Sequence, residues 1–340
     1  MEKHSYLSIF VPPEGCPNQC SFCNQRSISG QQKAPSGAEA AAICEEALQH
    51  CPKDAEIAFF GGSFTAIPRA YMLALLTAVQ PYIGAGKFRG IRISTRPDAV
   101  SEDILQLLEC YHVTSIELGV QSMNDEILQK NLRGHTAADV ENAVLLIRQH
   151  SFELGLQFMP GLFGDTTESI FSTAKAIADL KPDTVRIYPT LVLEGTKLAE
   201  LYRSGEYEPL GLQEAVELSA DCMELFENQN IRVIRVGLHA AETMEAQLLA
   251  GPYHPAFREL CESHLFYKKA LSELAGKDKS KAYHLFTATS ALSKMIGQKG
   301  SNLQKLQEQG WNIKVKADSK LCGRDIIIKE FIREGQKQCN

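Results

Sequence analysis

Cys16-Pro17-Asn18-Gln19-Cys20-Ser21-Phe22-Cys23 places three cysteines within eight residues, shortly after the apolar stretch Tyr6-Leu7-Ser8-Ile9-Phe10-Val11. The number of thiolates narrows the chemistry. A structural zinc site closes its tetrahedron with four protein ligands, and no His or Cys at a plausible spacing supplies the fourth locally. A four-iron, four-sulfur cluster held by three cysteines instead leaves one iron free for a substrate or cofactor. Core filling, a redox pair with a bystander, or part of a discontinuous zinc site would use the same residues, because cysteine is among the most buried residue types. What surrounds the motif has to decide.

The chain has 340 residues, 44% of them hydrophobic, room for one large domain and a small one with a proper core. No apolar run approaches the roughly 18 residues that span a bilayer, and Met1-Glu2-Lys3-His4 does not open a signal peptide. A cytoplasmic protein with no membrane partner is expected. Ten cysteines are too few for a disulfide scaffold in a chain this long, so reduced thiols are expected too. The net charge of −6 is unevenly distributed: residues 281–340 carry 11 Lys and Arg against 5 Asp and Glu, whereas the first 280 carry 24 against 36. A basic tail on an acidic body suits a polyanionic partner.

From residue 6 to about 192, short apolar runs alternate with amphipathic stretches. Tyr6–Val11, Glu56–Phe60, Gly90–Thr95, Ser115–Val120, Glu153–Met159 and Thr184–Tyr188 read as strands, and Gly37–His50, Pro68–Val79, Ser101–Cys110, Ala137–His150, Glu168–Leu180 and Leu212–Asn228 as helices. Such a βα repeat builds a parallel sheet. Six units do not close an eight-stranded barrel, and no glycine-rich dinucleotide fingerprint is present, so the fold expected is α/β, a partial (β/α)6 barrel. The cysteine loop follows the first strand, on the C-terminal face where βα loops build active sites. The second strand runs into Gly61-Gly62-Ser63, where glycines let a ligand approach the backbone or simply make a turn.

The Cys-x3-Cys-x2-Cys spacing, with Phe22 before the last cysteine, resembles the signature of the radical S-adenosylmethionine (radical SAM) superfamily. Further strand ends resemble the radical domain of the Elongator catalytic subunit, and several the oxygen-independent coproporphyrinogen oxidases. They are Ser94-Thr95-Arg96-Pro97-Asp98, Glu117-Leu118-Gly119-Val120-Gln121-Ser122, Leu132-Arg133-Gly134-His135-Thr136, Phe158-Met159-Pro160-Gly161-Leu162 and Ile187-Tyr188-Pro189-Thr190-Leu191. The resemblance covers about residues 6–240. It implies a 4Fe-4S cluster on Cys16, Cys20 and Cys23, and S-adenosyl-L-methionine cleaved by one electron to methionine and a 5′-deoxyadenosyl radical that abstracts hydrogen from a substrate. It also implies that Gly61, Gly62 and Ser63 meet the cofactor's amino group, Arg133 its carboxylate, and Ser94 and Gln157 its ribose and polar tail. Arg133 in a surface ion pair and Gln157 bonded to a sheet neighbour are the plainer readings of those two. Glu117 is either a buried partner for a cation or a strand-end carboxylate in solvent.

The resemblance has limits. The Elongator subunit spaces its cluster cysteines more widely and continues into an acetyltransferase half, which this chain stops resembling after Ile231–His239, so acetyl-CoA chemistry is not carried over. His239 and His254 read as surface or structural residues. Cys44, Cys51, Cys110, Cys222, Cys261, Cys322 and Cys339 show no ligand spacing.

The tail reads strand Tyr283–Thr287, helix Ser290–Ile296, Gly297-Gln298-Lys299-Gly300, helix Ser301–Gln309, and strands Asn312–Lys316 and Arg324–Lys329. It resembles a KH domain, a small α+β module whose Gly-x-x-Gly loop clamps single-stranded nucleic-acid backbone. Gly297, Gln298, Lys299 and Gly300 are then candidate RNA contacts, with Ser301 capping the second helix. Lys294, Lys305, Lys314 and Lys316 would supply field rather than specific contacts. The domains expected are 1–240, a helical connector 241–280, and 281–332. The function expected is a radical SAM enzyme acting on RNA, with tRNA the candidate substrate and an electron donor such as ferredoxin or flavodoxin. The alternatives are a small metabolite substrate such as a porphyrin precursor, or a non-catalytic RNA-binding iron-sulfur sensor. No catalytic residue is assigned.

Overall fold

The structure, a computed structural model, describes residues 5–11, 19–24, 33–52, 55–238 and 242–331. They form two compact units, Met1–Ala215 with Leu225–Pro255, and Val216–Glu224 with Ala256–Asn340.

Along the chain the alternating pattern becomes β1 (Tyr6–Val11), α1 (Gly37–Ala47), β2 (Glu56–Gly61), α2 (Arg69–Val79), β3 (Gly90–Thr95), α3 (Glu102–Cys110), β4 (Val113–Gln121), α4 (Asp125–Lys130), α5 (Ala137–Ile147), β5 (Glu153–Phe158), α6 (Thr167–Asp179), β6 (Thr184–Ile187), α7 (Lys197–Ser204), α8 (Leu212–Asn228) and β7 (Arg232–Val236), all in the first unit but for the middle of α8, Val216–Glu224. The sheet has seven strands in chain order, every neighbouring pair parallel. The six strands expected therefore become seven. β7 escapes the pattern because an edge strand with exposed Arg232 and half-buried Ile234 and Arg235 lacks the continuous apolar run of a strand covered on both sides. Helix starts follow their side chains. Ser36 with Glu39 and Thr136 with Asp139 form capping boxes on α1 and α5, and Asn124 accepts from the Glu126 and Ile127 amides to start α4.

Each strand buries one set of alternate residues against the helices: Ile57 and Phe59, Ile91 and Ile93, Ile116 and Leu118, Leu154 and Leu156, Val185 and Ile187. The opposite face carries charge. Fully buried Arg92 donates from Nε to Glu56 Oε2 (2.8 Å), from Nη1 to Glu117 Oε1 (3.0 Å) and from Nη2 to Glu153 Oε1 (2.9 Å). Arg186 Nη2 reaches the same Glu117 oxygen at 2.8 Å, while Arg89 and Arg232 close on Glu56 and Glu153 from the N-terminal edge. Arg186 on β6 also lies over the rings of Tyr6 on β1 and Phe60 on β2, 5.4 and 5.1 Å from their centroids. Laid flat, β1 and β6 would be about 24 Å apart at the usual strand spacing. The sheet is therefore curled, as in a partial barrel, and its interior is closed by ion pairs.

The second unit contains α9 (Phe257–Leu274), β8 (Ala282–Thr287), α10 (Leu292–Ile296), α11 (Ser301–Glu308), β9 (Asn312–Ala317) and β10 (Ile326–Phe331). β8 is central, parallel to β9 and antiparallel to β10. Phe266, Ala270 and Leu274 of α9 share a core with Tyr283, Leu285, Met295, Leu306, Trp311 and Ile313. The stretch read as a connector is thus divided, 242–255 falling in the first unit and α9 in the second. Among the described residues no helix is long and apolar enough to cross a membrane.

Removing one partner from a buried charge cluster strands the others, at a cost of about 3–5 kcal/mol. Arg92→Met should therefore lower unfolding free energy in urea by that order, and a loss below about 1 kcal/mol would contradict the role given to Arg92. Burial pushes the Glu56 carboxyl up, but Arg92, the Ser115 hydroxyl, Arg89 and Thr114 outweigh it and hold the carboxyl below its ordinary value. A lowered folded value stabilises the protein above the unfolded pKa of about 4.3, and that contribution is lost as pH falls through the folded value. Acid unfolding curves of Glu56→Gln should be less steep than wild type across this window.

Candidate active site

The C-terminal ends of the parallel strands share one edge of the curled sheet, and most of the residues singled out from the sequence lie there. Cys16 lies outside the described residues, as do His239 and Cys339.

The cysteine loop is held by its least conspicuous member. Cys20 is buried and Cys23 half-buried, and the Cys23 amide donates to the Cys20 carbonyl at 3.0 Å. Between them Ser21 donates its amide to the Asn131 carbonyl (3.0 Å) and its hydroxyl to Asn131 Oδ1 (2.7 Å), while its carbonyl accepts from Leu198 at the start of α7 (2.7 Å). Asn131 Nδ2 in turn donates to the Ile127 and Phe163 carbonyls at 2.8 and 2.9 Å. Phe22 packs on Val192, Leu198, Ala199 and Tyr207, and Asn24 Nδ2 donates to the Glu194 carbonyl. An irregular buried loop needs such partners for its backbone, and here they also fix where the thiols point.

Arg133, on the loop after α4, is buried beside this loop. Nη2 donates to the Gly119 carbonyl at 2.6 Å and Nη1 lies 3.4 Å from Cys20 Sγ, whereas Nε is buried with no hydrogen-bond partner among the described residues. This excludes the surface ion pair. Gly119 makes the approach possible, because a Cβ there would stand 2.7 Å from Arg133 Nη2 and 2.9 Å from Gln121 Nε2. Gln121 ends β4 at φ +68°, and Gln157 Nε2 on β5 donates to its Oε1 at 3.3 Å, so Gln157 is tied to a sheet neighbour. Buried His135 bonds through Nε2 to the Val120 carbonyl, and burial together with the Arg133 charge pushes its pKa down to about 4, so the ring is neutral at pH 7.

At the end of β2, Gly61 adopts φ +121° and packs so closely on β1 that a Cβ would lie 2.4 Å from the Val11 oxygen; the Gly62 amide donates to that same carbonyl. The Ser63 hydroxyl is engaged inside the protein, sharing a hydrogen bond with Thr95 at 2.7 Å and accepting from the Arg96 amide at 3.1 Å. Ser94 is half-buried one residue earlier on β3, opposite Glu117. Glu117 is a buried partner for cations, but for Arg92 and Arg186 rather than Arg133. The roles of Ser21, Asn131, Gly119 and Gln121 are not marked in one sequence, although all but Asn131 lie inside the motifs quoted above. The signal that could have marked the last three is their place in the motif-bearing strand and in the loop that follows it.

A buried guanidinium with an unpartnered Nε beside a cysteine sulfur fits an anionic group, whether thiolate-ligated iron-sulfur or a carboxylate. Three buried thiols elsewhere are poorer ligands: burial pushes those of Cys44 and Cys222 up to about 12 and that of Cys261 further. In the second unit Gly297, at φ +82°, packs where a Cβ would lie 2.5 Å from Ser301 Oγ, and Lys299 has φ +53°. Ser301 is not the cap of α11. Gly300 holds that position at φ +81°, which the sharp turn requires, and it has no side chain to offer the first amides.

A model of the radical SAM superfamily matches residues 10–177, and one of the radical SAM C-terminal domain matches residues 182–266. A tRNA uridine(34) acetyltransferase of Methanocaldococcus jannaschii is 40% identical over 129 residues, 37% of this chain and 24% of that protein. One from Dehalococcoides mccartyi is 25% identical over 239 residues, 60% of this chain and 52% of that protein. The solved structure of Methanocaldococcus infernus Elp3, lacking its N-terminus, superposes with TM-score 0.62 and 25% identity over 79% of this chain and 64% of that one. The chain therefore spans 24% and 52% of the length of the two curated relatives.

Asn131→Ala would leave the buried Ser21 hydroxyl and the Phe163 carbonyl without partners, a cost of about 3 kcal/mol. Urea unfolding should show that loss and limited proteolysis should newly cut the cysteine loop, whereas exposed Gln129→Ala should do neither.

Proposed function

This chain belongs to the radical SAM superfamily, and we propose that it is an RNA-modifying enzyme of that superfamily whose substrate is a tRNA. The superfamily works with a 4Fe-4S cluster and S-adenosyl-L-methionine. When bound, that pair supplies one-electron cleavage of a sulfonium and, from it, the abstraction of a hydrogen atom.

The observation that carries the site reading is Arg133. Its guanidinium stands 3.4 Å from Cys20 Sγ, and its buried Nε has no partner among the described residues, a cation prepared for an anion that those residues do not provide. In this reading Cys16, Cys20 and Cys23 hold the cluster and Arg133 takes the cofactor carboxylate, to which a planar guanidinium is well matched. The backbone of Gly61 and Gly62 is left to meet the amino group, since the Ser63 hydroxyl is already engaged with Thr95 and the Arg96 amide. Ser94 and Gln157 line the same edge for the ribose and polar tail. The Ser21–Asn131 anchor keeps the loop in one geometry, and the ion pairs beneath it fill the interior that water would otherwise occupy. Fixed positions and exclusion of water are what a protein contributes to chemistry carried by a cofactor.

For the substrate, support comes from two directions. The relatives at 40% and 25% identity bear the name of a tRNA-modifying enzyme. The second unit has the element order of a KH-like module, a Gly-x-x-Gly turn between two helices, and a net charge of +6 over residues 281–340. Gly297, Gln298, Lys299 and Gly300 are the backbone-clamping loop, where uncapped α11 amides and a lysine favour phosphate. A reduced, cytoplasmic setting with ferredoxin or flavodoxin as electron donor belongs to the same proposal.

The test is anaerobic. Cluster-reconstituted protein with S-adenosylmethionine and a reductant should release 5′-deoxyadenosine, more so with bulk cellular tRNA. Cys20→Ala should abolish release, and Gly297→Asp with Gly300→Asp should weaken the response to tRNA roughly tenfold, about 1.4 kcal/mol. Turnover indifferent to RNA would point to a small metabolite, and RNA binding without any cleavage to a sensor.

A further inference from the structure

The exposed face of the three-stranded sheet in the second unit is built unlike an ordinary solvated surface. Alternate residues of β8, β9 and β10 turn Tyr283, Leu285, Ile313 and Ile326 into the core. The opposite positions, by the strand register, are Ala282, His284 and Phe286 on β8, Asn312, Lys314 and Lys316 on β9, and Ile327, Lys329 and Phe331 on β10. No carboxylate occupies any of these positions. Glu330, between Lys329 and Phe331 on β10, falls on the other side of the pleat and pairs with Lys281 at 3.0 Å.

The rings and cations are interleaved. His284 and Phe331 are stacked at 4.0 Å with planes 6° apart, Lys314 Nζ lies 5.6 Å from the Phe331 centroid, and Lys329 Nζ lies 5.5 Å from that of Phe286. Lys314, Lys316 and Lys329 are exposed, and Ile327 is 41% exposed. His284 and Phe286, two residues apart on one strand, have ring centroids 6.0 Å apart with planes at 76°, edge to face. Burial of its ring, with Lys316 and Lys314 adding repulsion, holds His284 below its ordinary value, so it offers a neutral ring above pH 7.

We propose that this sheet face is a second RNA-binding surface, on which bases of a single strand stack on the His284–Phe331 pair and on Phe286 while Lys314, Lys316 and Lys329 meet its phosphates. It rests on the reading of this unit as a nucleic-acid module, and it lies on the opposite side of the sheet from the core that carries α10, the Gly-x-x-Gly turn and α11. Rings for base faces and cations for the backbone, with no acid between them, are the chemistry that single strands require. A protein partner with so basic a contact would need an acidic surface but would have no particular use for the stacked rings.

The experiment measures binding of a fluorescein-labelled 12-nucleotide oligouridylate to the full chain by anisotropy across a salt series. Lys314→Gln, Lys316→Gln and Lys329→Gln together should weaken binding about tenfold and lower the slope of log affinity against log salt by about 2, three phosphate contacts' worth for a single strand. Phe286→Leu with Phe331→Leu, which keeps apolar bulk, should weaken it about tenfold without changing the slope. Gly297→Asp with Gly300→Asp reports on the loop separately. If that pair alone abolishes binding and both sheet-face variants bind as wild type, the loop reading stands and the sheet-face proposal falls. If the sheet-face variants lose affinity while the loop variant does not, the proposal stands and the loop reading falls. Wild-type chain that binds no oligouridylate overturns both. Photocrosslinking of 4-thiouridine oligonucleotide to unaltered protein needs no variant to fold: adducts within Ala282–Thr287 and Asn312–Ala317 support the proposal, and adducts confined to 297–300 overturn it.

Discussion

Arg92 holds three carboxylates at once, and the curl of the first unit depends on that arrangement. A barrel interior is ordinarily packed with branched apolar side chains. Here the space between β2, β3, β4 and β5 is filled by Glu56, Arg92, Glu117 and Glu153, with Arg186 extending the network to the rings of Tyr6 and Phe60 on the first two strands. Buried charges are costly unless each has a partner, and these reach across several strands in succession. Any flattening that separated β1 from β6 would leave Arg186 without its aromatic neighbours. Charges at the N-terminal and middle levels of the interior leave Arg133 at the C-terminal edge without a carboxylate among the described residues, whereas Arg96, just past β3, is paired with Asp98.

That division of labour makes the site comprehensible as a physical object. Cys20 and Cys23 stand on a loop that follows an edge strand, where nothing in the sheet itself would hold them. Ser21 and Asn131 do so through one side-chain and one backbone hydrogen bond, and they bring the loop against the chain segment that carries Arg133. Gly119 then lets the guanidinium pass over β4 to reach both its carbonyl and the Cys20 sulfur. Removal of any of these small or neutral residues would alter the site without touching a ligand.

The second unit follows a different logic. Its core requires α9, because Phe266, Ala270 and Leu274 cover the same face of the sheet as Met295 and Leu306. Asn302 fixes the helical turn to α9 by donating to the Ser263, Lys294 and Met295 carbonyls. Gly297 is confined by Ser301 and Asn302, whereas Gly300 faces open space, so the two glycines of the loop serve different purposes.

The strand and helix order of both units was legible in the sequence because period-two and period-3.6 burial survive in local patterns, and so was the three-cysteine loop, whose spacing is covalent. The seventh strand was not legible, since Arg232–Val236 at an edge lacks the apolar run by which the other strands are recognised. Nor were the partners of Glu117 and Gln157 or the cap position of Gly300, which depend on residues distant in sequence or on backbone angles that composition does not encode. The sequence by itself determined that three cysteines fall within eight residues, where the chain alternates, and that its tail is basic. Only the tertiary structure decided that Arg92 and Arg186 curl the sheet, that Asn131 anchors the cysteine loop 110 residues away from Ser21, and that rings and lysines share one face of the tail. Each of these is a contact between segments far apart along the chain, and such contacts exist only once folding has brought the segments together.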